Sequence, residues 1–223
     1  LSADLICVAS FPFLLRRPLL RLPRLGVVGI HPALLPRHRG GWPLFWTYFH
    51  DDPEAGVTVQ WLDGGADTGD IISQEPIPLP RGEPVTRLYG EITRRGVSLL
   101  VQAIDAIERG MAPRTVQDEA RATRDPNPAD GAWRPALAHW GAERLWHFLS
   151  GLGHLHGELL TGADGRPVAH GPVLRFSLEG HRRAPGTLER LGRGWRVYCR
   201  DGVVDTAGPT RRAILRRIAR KLR

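Results

Sequence analysis

The residues best suited to chemistry lie in one stretch, Gly29-Ile30-His31-Pro32-Ala33-Leu34-Leu35-Pro36-Arg37-His38-Arg39-Gly40. Gly56-Val57-Thr58-Val59 follows, and then Asp67-Thr68-Gly69 closes a run dense in Gly and Asp. A His at the C-terminal end of a buried strand and an Asp in the loop after a nearby strand stand where open α/β sheets place their sites. As a pair, His31 and Asp67 can move a proton, position a nucleophile and steady a developing oxyanion. The spacing also fits a strand-end His bonded to backbone and an Asp that merely shapes a turn. The run Gly64-Gly65-Ala66-Asp67-Thr68-Gly69 lacks the Lys-Ser/Thr of a phosphate-cradling loop and the spacing of a dinucleotide fingerprint. His147, His154 and His156 have no Cys or well-spaced carboxylate beside them and read as ordinary histidines. The seven Trp are mostly core candidates, and Trp42 and Trp46, next to the His31 loop, have the lesser alternative of lining an acceptor pocket.

These side chains need elements to position them. Leu5–Ser10 and Gly26–His31 are short, mostly apolar runs, as expected of strands buried on both faces of a parallel sheet. Phe11–Leu22, broken by Pro12 and Pro18, reads as a loop with a short helix. Pro43 suits the first turn of a helix running to about His50. Gly56–Leu62 and Ile71–Leu79 are further strands, with Pro76 and Pro78 confining the second to a sheet edge. The longest helical pattern covers 84–110 and stops at Gly110. The polar, Pro-containing stretch 113–130 is expected to be a linker between a core over 1–112 and a C-terminal domain over 131–223. In the latter, a helix around 142–152 precedes four short strand-like pieces, the spacing of a small antiparallel β module.

Residues 3–110 resemble the formyltransferases that use 10-formyltetrahydrofolate, which act on methionyl-tRNA, glycinamide ribonucleotide or sugar nucleotides. Their pattern of Asn-x-His, Ser-Leu-Leu-Pro, Arg-Gly, Gly-Val-Thr and Asp-x-Gly is matched, in order, by Gly29-x-His31, Ala33-Leu34-Leu35-Pro36, Arg39-Gly40, Gly56-Val57-Thr58 and Asp67-Thr68-Gly69. The resemblance implies an α/β, partial Rossmann-like formyltransferase core, with at least two leading βα units lying outside this sequence. It implies that His31 and Asp67 are catalytic, and that Leu14, Leu15 and the loop Leu62, Asp63, Gly64, Gly65, Ala66 line a pterin pocket. Asp67 is then expected to order a water and relay the amine proton, and His31 to donate to the formyl oxygen. Gly29 stands at the third catalytic position, where the family has Asn, and one lost oxyanion donor typically costs on the order of 10²–10³ in rate. The implied reaction is formyl transfer from 10-formyltetrahydrofolate to a primary amine, with methionyl-tRNA the first choice of acceptor. A small-molecule amine such as a sugar nucleotide is the alternative, and a non-catalytic folate- or RNA-binding relative is the rival from another class.

Composition bounds this reading. The chain has 223 residues, a net charge of +8 and ordinary hydrophobic content, so global disorder is excluded. Two Cys cannot build a disulfide framework, and no apolar run is long enough to span a membrane. A soluble, cytoplasmic protein is expected. Seven of the basic residues fall in 211–223, and without them the net charge is +1. That tail places Ile214, Ile218 and Leu222 on one face of a basic amphipathic helix. It fits a solvated terminal helix, or a contact with a tRNA backbone. Pro185–Leu188 and Gly194–Gly202 are similar to part of the C-terminal barrel that helps methionyl-tRNA enzymes hold tRNA.

Overall fold

The computed structural model describes residues 2–11, 13–125, 127–128, 134–153, 159–162 and 165–209. The basic tail, His154 and His156 lie outside them. The chain forms two compact units, one of residues 1–80 and 86–129, the other of 81–85 and 130–223.

The first unit carries a four-stranded sheet in the order β1 (Ile6–Ala9), β2 (Val27–His31), β3 (Glu54–Trp61), β4 (Ile71–Pro78). A short helix, α1 (Arg17–Leu20), connects β1 to β2, which pair in parallel; β3 and β4 run antiparallel, so the sheet is mixed. Pro76 pairs with Gly56 and Pro78 with Glu54 on an edge strand, where missing N–H donors cost little. Helix α2 (Pro43–His50) buries Leu44, Phe45, Trp46, Thr47 and Tyr48. Helix α3 (Val85–Glu108) is amphipathic, with Leu88, Ile92, Ala103 and Ile107 buried. Ala103 and Ile107 pack with Val28, Val59, Trp61 and Ile72. Gly96 brings α3 close to the sheet, since a Cβ there would meet Ile30 and Val57 side chains at 3.1 Å.

The segment that composition marks as a linker does not behave as one over its described residues. Thr115 bridges Ile71, Arg124 bridges Arg39, and the Arg39 N–H donates to Thr123 O. These residues close against the first unit as a strap, because their polar groups find backbone partners on the sheet and its loops.

In the second unit, α4 (Ala142–Leu152) buries Leu145, Phe148, Leu149 and Leu152. A two-stranded ladder, β5 (Leu160–Thr161) with β6 (Pro167–Val168), follows. The main sheet is antiparallel, with β7 (Val173–Ser177), β8 (Leu188–Leu191), β9 (Gly194–Tyr198) and β10 (Val203–Thr206) in the order β7-β10-β9-β8. No helix among the described residues is long and apolar enough to cross a membrane.

Candidate active site

His31 ends β2, and Asp67 lies in the loop between β3 and β4. Strand geometry therefore delivers the first, and loop closure the second. Three parts of the sequence lock the His31 loop. Thr58, fully buried on β3, donates its hydroxyl to Ala33 O and accepts the Leu35 N–H at 3.2 Å. Gln74 Nε2 donates to Leu35 O and to the Thr58 hydroxyl oxygen. Gly56 leaves space for Leu34, whose side chain lies 2.3 Å from where a Cβ would stand. The Gly-Val-Thr triplet is thus a seat for the loop after His31.

The Asp67 loop is closed with equal tightness. A Cβ at Gly69 would sit 1.8 Å from the Trp61 carbonyl oxygen, which no side chain tolerates. Asp67 itself takes φ +55°, in the left-handed region that Asp tolerates better than most residues. Its Oδ1 accepts from Gln60 Nε2 at 2.7 Å, and its Oδ2 from the Gly40 N–H at 2.9 Å. Beneath it, Gln117 of the strap donates to Asp67 O and Gly69 O and accepts from Arg39, which is 1% exposed. Arg39-Gly40 therefore works by burial: the guanidinium anchors the strap, and the next N–H holds the carboxylate.

His31 Nδ1 lies 3.4 Å from Asp67 Oδ1. Its Nε2 donates to the His38 carbonyl at 2.8 Å, and because a carbonyl only accepts, Nε2 carries the hydrogen. Burial pushes the imidazole below its ordinary pKa, and the opposing pull of Asp67 and the His38 carbonyl does not recover it. The pull of the carboxylate toward imidazolium is thus outweighed by desolvation. At rest His31 presents a bare Nδ1 toward Asp67.

Both residues face a cavity of about 510 Å³ in the first unit. Leu14, Leu15, Gly29, Leu62, Asp63, Gly65 and Ala66 line it as well; Gly64 instead lines an adjoining depression with Leu14 and Leu15. Trp42 and Trp46 are absent from the lining, and Trp46 is buried among rings of α2. Gly29 is not an open position. A Cβ there would meet Leu62 Cδ2 at 3.0 Å, so Leu62 takes the space beside it.

Gln60 and Gln117 are polar residues of this site that motif matching passes over. Gln60 had one local signal, a long polar side chain between Val59 and Trp61 near the end of a buried strand. It lines the cavity, is 1% exposed, and its Oε1 has no hydrogen-bond partner among the described residues. Gln117 had none, because its partners are some fifty residues away in sequence.

A formyl transferase family model matches residues 1–104. The methionyl-tRNA formyltransferase of Syntrophus aciditrophicus is 40% identical over 126 residues, 56% of this chain and 40% of that protein. That of Moorella thermoacetica is 33% identical over 215 residues, 95% of this chain and 65% of that protein. This chain therefore spans less than two thirds of those relatives' lengths. Among solved structures, the sugar 3N-formyl transferase WlaRD, determined in the presence of dTDP and 5-N-formyl-THF, superposes with a TM-score of 0.66. At 16% identity over 90% of this chain and 71% of that one, it establishes a shared fold, Rossmann-like in its α/β part. With its motifs in order, residues 1–104 carry the formyl transferase family's domain, and similarity to methionyl-tRNA formyltransferases extends over nearly the whole chain.

Proposed function

We propose that the first unit takes 10-formyltetrahydrofolate into the 510 Å³ cavity and directs its formyl group to a primary amine. The observation that carries this reading is the His31–Asp67 pair facing that cavity, its carboxylate held by two neutral donors. The cavity is of ordinary size for a small-molecule site, and the unpartnered Gln60 Oε1 offers a buried acceptor for an N–H group of the folate or of the amine. Leu14, Leu15 and Leu62 supply apolar contact for the pterin, with Asp63, Gly65 and Ala66 lining the loop side. The folate supplies an activated carbonyl carbon; attack by the amine nitrogen forms one C–N bond as the C–N10 bond breaks.

This chain's residues manage the proton released. His31 Nδ1 accepts it from the amine nitrogen, and Asp67 stabilises the imidazolium that results. The Nδ1–H then serves as donor toward the departing nitrogen, so the proton ends on the leaving group. His31 therefore acts as acceptor first and donor second. Its Nε2–H stays with the His38 carbonyl throughout and holds the ring in place.

Methionyl-tRNA is the preferred acceptor, supported by the names of the relatives that match most of the chain and by the basic 211–223 tail. A sugar-nucleotide amine is the second reading, supported by the fold shared with WlaRD. Assay of the complete protein with 10-formyltetrahydrofolate against both acceptors decides. Transfer to methionyl-tRNA is expected; transfer only to the amino sugar establishes the second reading, and folate binding with neither transfer leaves a binding module.

A further inference from the structure

A second cluster lies behind the His31 loop, on the far side of the His38 backbone. His38 takes φ +57°, which turns its side chain inward to 6% exposure. His50 is the last residue of α2, and Asp125 lies in the strap, next to the Arg124 that bridges Arg39. His38 Nδ1 lies 2.9 Å from Asp125 Oδ2, and His50 Nε2 lies 3.1 Å from Asp125 Oδ1. The three ligand atoms all fall within 4.8 Å of one another. We propose that His38 Nδ1, His50 Nε2 and the Asp125 carboxylate bind a divalent transition-metal cation of the zinc class.

Four features carry this. First, the donor set of two imidazole nitrogens and one carboxylate oxygen suits zinc and its neighbours, whereas magnesium and calcium take oxygen ligands. Second, His38 Nδ1 lies 2.9 Å from one Asp125 oxygen and His50 Nε2 3.1 Å from the other, and all three ligand atoms fall within 4.8 Å of one another. A small turn of the carboxylate therefore brings both nitrogens and one oxygen around a cation with bonds of about 2.0 Å. Third, Asp52 Oδ2 sits 2.7 Å from His38 Nε2. That is the outer carboxylate that usually orients a metal-bound histidine, and it leaves Nδ1 as the ligating atom. Arg37 pairs with Asp52, so Asp125 is the carboxylate left facing both imidazoles. Fourth, the His50 side chain is 42% exposed, which gives the cation a path in and a place for a water ligand.

The cation would tie the turn after β2, the end of α2 and the strap together. Its ligand His38 also supplies the carbonyl that holds His31, so the expected role is to brace the His31 loop rather than to take part in chemistry. Without metal, the same contacts are met by a doubly protonated His38, and the cluster is then a buried ion pair. This is the competing state that the test must distinguish.

The test uses the complete, untagged chain, stripped with a chelator and titrated with Zn²⁺ by calorimetry and with Co²⁺ by visible absorption. One Zn²⁺ per chain is expected, with Co²⁺ showing the absorption of a tetrahedral site. His50→Ala removes a half-exposed ligand with little risk to the fold and is expected to weaken binding at least about 10- to 100-fold, the scale seen even for outer-shell changes. Asp125→Asn should do the same, and Asp52→Asn should weaken binding about 10-fold through the orientation of His38. His139→Ala, in the other unit, should leave it unchanged. Zn²⁺ should raise the melting midpoint of the parent chain and not that of His50→Ala. Failure to bind Zn²⁺, or equal binding by the parent and by His50→Ala, would overturn the site and leave the protonated His38 ion pair as its explanation.

Discussion

Asp67 in the first unit and Asp205 in the second are both carboxylates drawn out of solvent, and their partners set them apart. Asp205, on β10, accepts from Arg196 Nε and Nη2 at 2.7 and 2.8 Å and from Arg175 Nε at 2.9 Å. The hydrogen bond from Arg196, above all, holds its carboxyl below the usual carboxylate range. Its oxygens are used and its charge is cancelled. Asp67 has instead a backbone N–H, a side-chain amide and a facing imidazole. Neutral donors fix its position without cancelling its charge, so it remains able to stabilise a proton that arrives on His31. Burial of a carboxylate alone does not mark chemistry; the kind of partner does.

The largest expected effect tests the Asp67 side of this contrast. Asp67→Asn keeps the shape and loses the charge, and formyl transfer by the complete protein is expected to fall at least about 10²-fold with folate binding retained. Unchanged turnover would place Asp67 with Asp205 as a structural group.

Asp205→Ala should do the converse. It is expected to cost about 1–2 kcal/mol in denaturant unfolding, discounted because both arginines reach solvent, with no comparable change in the chemical step. The pH dependence follows from the depressed carboxyl. The contribution of Asp205 is complete above its unfolded pKa, about 4, and is lost as pH falls through the lower folded value. The stability gap between parent and Asp205→Ala should therefore narrow on acidification below about pH 4. A gap that stays constant would mean that Asp205 acts through packing alone.

Gln117→Ala sharpens the role of neutral donors, since it removes the amide that holds the Asp67 and Gly69 carbonyls. A fall in kcat of about 10-fold with a smaller change in KM is expected if positioning is its contribution. The smallest effect concerns Gly29. Gly29→Ala must displace Leu62 by a few tenths of an ångström, and folate affinity is expected to fall about 2- to 5-fold. In a Leu62→Ala background, itself weakened by the lost pterin contact, Gly29→Ala should cost no further affinity, which equilibrium titration with the folate would detect.

Local pattern carried most of the elements. The strands expected over Leu5–Ser10 and Gly26–His31, Pro43 at the start of α2, the stop at Gly110 and the four short strands after 172 are all found close to where their residues imply, although alternate residues of β1 are exposed instead of buried on both faces. Period, helix punctuation and strand propensity act over a few residues, so they can be read without the rest of the chain. The strap was not legible for the opposite reason. Its composition is that of a linker, and only pairing with Ile71 and Arg39, far away in sequence, makes it part of the first unit.

The sequence by itself determined which side chains are available for chemistry and the order in which motifs present them: His31 at a strand end, Asp67 in a glycine-rich loop and Gly29 two residues before His31. Tertiary structure decided what those side chains can do. It set the resting state of His31 by burying the ring more effectively than Asp67 could offset. It put Leu62 into the space beside Gly29, placed Gln60 next to Asp67, and gathered His38, His50 and Asp125 behind the site. The physical reason is common to all of these. Residue type and spacing act along the chain, whereas desolvation, close packing and charge act through space, between segments that only the fold brings together.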